Sequence, residues 1–318
     1  MTSNDPAGSR NAALTLLFIA PALFASNMLI ARLTAPDIPP IALAFWRWFV
    51  TFLLVLPFTG PTLWRERAVL KKEWLDISIL GGLGMGVCGA FVYIGADTTT
   101  ATNIGLIYAA SPILILLGAC TWFGEVLRPI QVLGVIFCLA GVLVILTQGD
   151  PDILLGLHFG QGDLWILAST VSWAVYSVLL RHRASGLSLS CRFAACILAG
   201  VVILLPFTIW EGFTSGPPAV NSYTLTAVGF LAIVASFGAY QVYAFIQRHL
   251  GAGPTSLLMY LVPVYNGALA YYLLDERLAW YQVIGAALVL PGIFFATYKF
   301  GPPADQPRKA KQGNSDGK

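Results

Sequence analysis

Two stretches, SPILILLGACTWFGEVLRPIQVLGVIFCLAG from Ser111 to Gly141 and VPVYNGALAYYLLDERLAWYQVIGAALVLPG from Val262 to Gly292, lie on one another without a gap when the chain is shifted by 151 residues. Pro112 then meets Pro263, Glu125 meets Glu276, Leu127 meets Leu278, Gln131 meets Gln282, Val132 meets Val283, Gly134 meets Gly285 and Gly141 meets Gly292. Any two apolar helices align Leu with Ile or Val. They do not align Pro, Glu, Gln and Gly at once, so the pair reads as an internal duplication.

The composition says where the duplicated unit lives. Of 318 residues 57% are hydrophobic and only 10% charged, with a mean hydropathy of +0.76. Soluble domains carry about 25% charge, so the expected environment is a lipid bilayer. A spanning helix needs about 20 mostly apolar residues. Ten such runs are expected, at roughly 13 to 33, 40 to 58, 74 to 97, 101 to 122, 129 to 148, 161 to 181, 190 to 210, 223 to 247, 254 to 274 and 279 to 299. The first resembles a signal peptide in LTLLFIAPALFA, but its apolar run continues through NMLIARL and it has a later counterpart. Lysine and arginine fix the expected orientation: with both termini in the cytoplasm, all but Arg32, Arg47 and Arg277 fall in or beside cytoplasmic segments.

The first and sixth spans also correspond loosely, FASNMLIAR with WAVYSVLLR, so the unit is five helices. An odd number of crossings inserts the second copy upside down relative to the first. The fold class expected is therefore all-α integral membrane, with ten transmembrane helices as two inverted five-helix repeats. Residues 1 to 149 and 150 to 300 form the repeats, and 301 to 318 a disordered cytoplasmic tail. Inverted repeats let one central site face either side by rocking, the logic of secondary transporters.

Several chemistries are set aside. A net charge of +3 without basic clusters interleaved with aromatics does not describe a nucleic-acid surface. The five cysteines lie in apolar runs with no metal spacing, and the three histidines sit in polar gaps as solvated loop residues, so neither metal nor cofactor is expected. GMGVCG, Gly84 to Gly89, fits a dinucleotide fingerprint by letter, but it is embedded in ISILGGLGMGVCGAFVYIGA with no acidic residue at the required distance. Gly82, Gly86 and Gly89 recur instead at helical spacing as a smooth packing ridge.

What remains inside the membrane is sparse. Arg47, in AFWRWFV, is the one charge expected near mid-membrane, either a structural group bonded to carbonyls or the contact for a substrate carboxylate. No Asp or Glu lies deep in a span, and Glu125 and Glu276 stand where capping and the helix dipole account for them. Pro112 and Pro263 each remove a helix hydrogen bond near mid-span and mark expected helix irregularities and gating points. Polar and aromatic residues form stripes: Ser236, Tyr240, Tyr243 and Gln247 on the eighth span; Trp165, Ser169, Ser172, Trp173 and Tyr176 on the sixth. Tyr108 and Ser111 flank the first proline and Tyr260, Tyr265 and Asn266 the second, with Asn27 on the first span and Tyr93 on the third. Such groups suit a cavity for an apolar body with one polar end, or else hydrogen bonds that glue helices together.

Two five-helix halves, a proline followed thirteen residues later by a glutamate opening the last helix of each half, and Arg47 in the second span resemble the drug/metabolite transporter superfamily in its EamA-type branch. The resemblance covers about residues 12 to 300, and the aromatic-rich middle spans look most like the YddG-like aromatic amino acid exporters. It implies a central cavity lined by spans one to four and six to nine, export in preference to import, and residence in the cell (inner) membrane as a monomer or homodimer. The expected activity is secondary transport of small amphipathic metabolites, amino acids including aromatic ones. Export of drug-like or cationic compounds, a channel and an integral-membrane enzyme are the alternatives.

Overall fold

The computed structural model of the chain describes residues 6–34, 37–158, 160–274 and 279–297. Among them there is no strand. The helices are α1 (Pro6–Thr34), α2 (Pro40–Arg65), α3 (Arg67–Lys72), α4 (Trp74–Gly81), α5 (Cys88–Thr98), α6 (Ala101–Ala109), α7 (Ser111–Phe123), α8 (Pro129–Leu146) and α9 (Asp152–Leu155), then α10 (Gln161–His182), α11 (Leu189–Thr214), α12 (Ser222–Phe230), α13 (Ala239–Leu250), α14 (Ala252–Ser256), α15 (Leu258–Leu274) and α16 (Trp280–Thr297). Nine helices or helix runs among the described residues are long and apolar enough to cross a membrane. The remaining expected span, 254 to 274, is divided between α14 and the 17-residue α15, which packs on α1, α8 and α16. The expected tail lies outside the described residues.

Two spans carry a π-helical insertion. Gly82–Val87 joins α4 to α5, and Leu231–Gly238 joins α12 to α13. Their last residues stand 151 apart, the same offset as the sequence duplication. A π turn misaligns the backbone ladder and leaves carbonyls to be satisfied by other groups. Hydroxyls from neighbouring helices do this: Ser172 donates to Leu83 O (2.9 Å), Tyr240 to Gly84 O (3.1 Å) and Thr51 to Ala232 O (3.2 Å).

The most intimate packing is between α8 and α16. A Cβ on Gly134 would lie 2.5 Å from Gly292 O, and one on Gly141 2.6 Å from Gly285 O; Gly285 and Gly292 meet Gly141 O and Gly134 O in return. Positions rise along one helix as they fall along the other, so the pair is antiparallel. Without a hydrophobic drive between helices in lipid, such close backbone approach is what holds them. Each of these helices also opens the same way. Gln131 Oε1 accepts from Arg128 N (2.7 Å) and Gln282 Oε1 from Ala279 N (2.9 Å), which explains why both copies keep the glutamine.

The capping expected of Glu125 is not what the carboxylate does. Its Oε1 lies 2.9 Å from His182 Nε2, and the His182 ring stacks on Phe123 at 4.0 Å, so His182 is no solvated loop residue. Glu276 lies outside the described residues. Pro112 stands just beyond a helix interruption at Ala110, whereas Pro263 is inside α15 and the interruption in that span falls at Leu257. Pro254, three residues before Leu257, supplies the carbonyl that Leu257 N bonds (3.3 Å).

Ties between the two halves of the chain occur at both ends of the bundle. Glu73 accepts from Ser185 Oγ (2.5 Å) and Gly186 N (2.8 Å), and Arg183 pairs with Asp76. At the other end Asp163 accepts from the Thr99 hydroxyl, Asn103 Nδ2 donates to His158 O (3.1 Å), and Glu211 accepts from Ile41 N (3.0 Å) and Ala42 N (2.7 Å). That last contact seats a carboxylate on the N-terminus of α2, where the helix dipole favours it.

Candidate functional site

Arg47 projects from α2 into the centre and is 3% exposed. Its Nη1 donates to Asn27 Oδ1 on α1 (2.8 Å) and to the Tyr93 hydroxyl on α5 (2.7 Å), while Tyr93 OH donates to Asn27 Oδ1 (2.8 Å). The triangle is closed, and both partners are neutral. Among the described residues no carboxylate pairs with the guanidinium. Its Cζ lies 4.7 Å from the Trp48 ring centroid and 5.4 Å from that of Tyr93. Cation–π contacts of this kind contribute about 2 kcal/mol when desolvated. They leave the positive charge in place.

Beside the arginine lies a nest of rings. Tyr240 is its hub: Trp48 meets it edge-on at 4.8 Å, Trp173 at 5.5 Å, and Phe193, Tyr176 and Phe24 surround it at 6.1 to 6.2 Å. Tyr243 packs on Trp173 at 4.9 Å. Edge-to-face pairs contribute about 0.5–1.5 kcal/mol each beyond area burial. All of these rings except Phe24 are buried. Among the described residues these rings pack directly on one another beside Arg47.

The sequence-derived candidates separate into those this arrangement brings together and those it does not. Asn27, Arg47 and Tyr93 form the polar triangle; Trp173, Tyr176, Tyr240 and Tyr243 belong to the nest. Several hydroxyls in the stripes serve interhelical bonds: Ser172 and Tyr240 on the π segment, Tyr243 on Ser177 Oγ (2.9 Å), and Gln247 on Ser177 O (2.8 Å). Tyr108 shares a bond with Ser169 Oγ at 3.2 Å, and Ser169 donates to Cys88 O. Tyr265 donates to Phe18 O of α1, away from the triangle. Ser111 and Tyr260 are fully buried, with hydroxyls that bond nothing among the described residues. The side chain of Asn266 lies outside the described residues.

Of the glycine ridge, Gly89 faces Trp48 and Arg47, while Gly82 and Gly86 face Ile203. The closest approaches are made by their neighbours. A Cβ on Gly81 would lie 2.3 Å from Cys196 O, and one on Gly84 2.7 Å from the Tyr176 ring. The π turn shifts the face presented, a rotation that strict 3.6-residue spacing does not anticipate.

Trp48, Phe24 and Phe193 are the site residues that sequence reasoning did not single out. Trp48 is adjacent to Arg47, and neighbours in a helix point about 100° apart, so periodicity gave no reason to place both at one site. The aromatic run AFWRWFV was the available signal.

The family model for the EamA-like transporter family matches the chain twice, over residues 11–147 and 160–298. An uncharacterized transporter of Archaeoglobus fulgidus is 27% identical over 287 residues, covering 89% of this chain and 96% of the relative. YyaM of Bacillus subtilis, also an uncharacterized transporter, is 29% identical over 84% of this chain and 88% of its own. A probable amino-acid metabolite efflux pump of Escherichia coli is 24% identical over 86% and 90%. A solved crystal structure superposes with a TM-score of 0.71 at 25% identity, covering 90% of this chain and 96% of the other.

Proposed function

The chain belongs to the EamA-like transporter family, and from that premise we propose that it exports small amphipathic metabolites, above all amino acids with aromatic or bulky apolar side chains. It does so as a secondary carrier of the inner membrane, by alternating access of two inverted five-helix halves with both termini cytoplasmic. One observation carries the substrate reading: a buried arginine with no carboxylate partner among the described residues stands against a nest of aromatic rings. An amino acid of this class offers a carboxylate to the first and an apolar body to the second. A buried, uncompensated positive charge runs against cationic cargo.

The inverted arrangement draws support from the glycines. Gly134 touches Gly292 and Gly141 touches Gly285, and each contact is the image of the other under the 151-residue exchange. A two-fold axis generates that reciprocity. Phe24 and Trp173, matched in the loose correspondence of spans one and six, meet each other at 5.8 Å, as residues near such an axis do. Cysteines introduced at Val126 and at Asp275, one in each repeat's last linker, should label from opposite sides of the membrane. Labelling from the same side would dismantle the two-halves reading.

Transport itself is tested in proteoliposomes with labelled phenylalanine, tryptophan, leucine, a polyamine and a drug cation, with and without a pH gradient. Saturable flux of the amino acids is expected. Movement of the cations alone would overturn the substrate assignment, and flux that never saturates would indicate a channel.

A further inference from the structure

Every hydrogen bond Arg47 makes among the described residues leaves from one nitrogen. Nη1 serves both Asn27 and Tyr93. Nε is buried with no partner, and Nη2 bonds nothing among the described residues. These two nitrogens form the side edge of the guanidinium, a planar two-donor fork whose spacing matches the oxygens of a carboxylate. A third donor stands beside them. Trp48 Nε1, which can donate and cannot accept, is also buried and has no partner among the described residues.

Gly89 is where these donors converge. A Cβ at that position would lie 3.0 Å from Trp48 Nε1 and 3.5 Å from Arg47 Nη2, so a larger residue would press on the indole and cover the fork. Leaving buried donors unmade is costly, most of all for charged groups. What sets these two apart from other unpartnered buried groups, such as Trp173 Nε1, is that they converge on one glycine. Asn27 and Tyr93 hold the other nitrogen and so turn the free edge toward Gly89; they are positioning residues.

We propose that the Nε and Nη2 edge of Arg47 and the indole N–H of Trp48 together seat the carboxylate of the transported molecule, with Gly89 keeping that seat uncovered. The site selects its cargo by the carboxylate and refuses the corresponding amide or amine, because a set of donors with no acceptor offers nothing to an ammonium group and only one acceptor's worth of bonding to an amide. This rests on the exporter reading above, to which it adds the recognising atoms and a residue, Trp48, that sets specificity.

The test compares phenylalanine, phenylalaninamide and phenethylamine as competitors of labelled phenylalanine uptake into proteoliposomes, for the wild type, Trp48→Phe and Gly89→Ala. The acid should outcompete the amide by at least about tenfold in the wild type, the scale of a lost bond to a charged group. Trp48→Phe, which keeps a ring and removes the N–H, should narrow that ratio severalfold, and Gly89→Ala should narrow it further. The ratio is read within one preparation, so the amount of folded protein does not enter it. Equal competition by acid and amide in the wild type, with phenylalanine transported, overturns the carboxylate seat and leaves the exporter reading standing. Unchanged ratios in both variants overturn the roles of Trp48 and Gly89. If the wild type transports no carboxylate-bearing compound, both readings fall.

Discussion

The two halves of the chain share a scaffold and divide the chemistry. Each half carries a π insertion, a glutamine that caps α8 or α16, and glycines through which those two helices touch. The polar triangle of Asn27, Arg47 and Tyr93 nevertheless belongs wholly to the first half, and Trp173, Tyr176, Phe193, Tyr240 and Tyr243 all belong to the second. The position 151 residues beyond Arg47 is Leu198, which is 45% exposed at the protein surface. Duplication preserved what backbone contact requires, because a Gly at a 2.5 Å approach tolerates no substitute. It released the centre, where each element meets different neighbours.

That comparison can be broken most forcefully through the scaffold. Gly134→Leu and Gly285→Leu, equivalent positions in the two halves, should each destabilise the protein by on the order of 3 kcal/mol or more, since the new side chain meets backbone and cannot displace it. Size-exclusion recovery and thermal stability in detergent check this. A large difference between the two variants would mean that the halves do not share the scaffold equally.

The chemistry comes next. Arg47→Ala should lower amino acid flux by about a hundredfold, the loss of charge-assisted bonds; it also loses the cation–π contacts and so some thermal stability, but should still elute as folded protein in detergent because Tyr93 and Asn27 keep their own hydrogen bond. Leu198→Ala should leave flux unchanged. Normal flux in Arg47→Ala would remove the arginine from the substrate's contacts. Tyr240→Phe is expected to be milder, because the ring stays in the nest and only the bond to Gly84 O is lost. Interhelical hydrogen bonds in membranes contribute about 0.6 kcal/mol, so a shift of a degree or two in Tm is expected, and a collapse would assign the π segment a larger dependence on that hydroxyl.

The smallest effect concerns the tie at Glu73, outside the spans. Burial works to raise its carboxyl, but the Gly186 N–H, the Ser185 hydroxyl and the charges of Arg192 and Lys72 outweigh it and hold the group below its ordinary 4.5. A depressed carboxylate stabilises the folded state at neutral pH, and that contribution disappears as pH falls through the folded value. The wild type should therefore exceed Glu73→Gln in thermal stability at pH 7 by a small margin that shrinks on acidification below 4.5. A margin indifferent to pH would show that the tie does not join the halves through its charge.

Much of this was legible in the chain. The glutamines, glycines and prolines of the repeat stood out because their chemistry is local or strictly steric, and the offset they define recurs in the π insertions and in the α8–α16 contact. Glu125 was legible as a position and misread as a role. Its partner His182 is 57 residues away, and no periodicity links the two. The stripe residues were identified as polar faces, but which of them bond other helices and which remain without partners depended on neighbours from the other half.

The sequence alone determined the membrane environment, the duplicated unit and the presence of one charge inside a span, because hydropathy, steric demand at glycine and the cost of burying charge act on a residue wherever it folds. Only the tertiary structure decided that Trp48 joins Arg47, that one nitrogen of the guanidinium is tied down while its side edge bonds nothing among the described residues, and that the aromatic rings gather beside it. Those outcomes depend on distances between side chains from different helices, and a π turn that shifts one face by a residue is enough to change them.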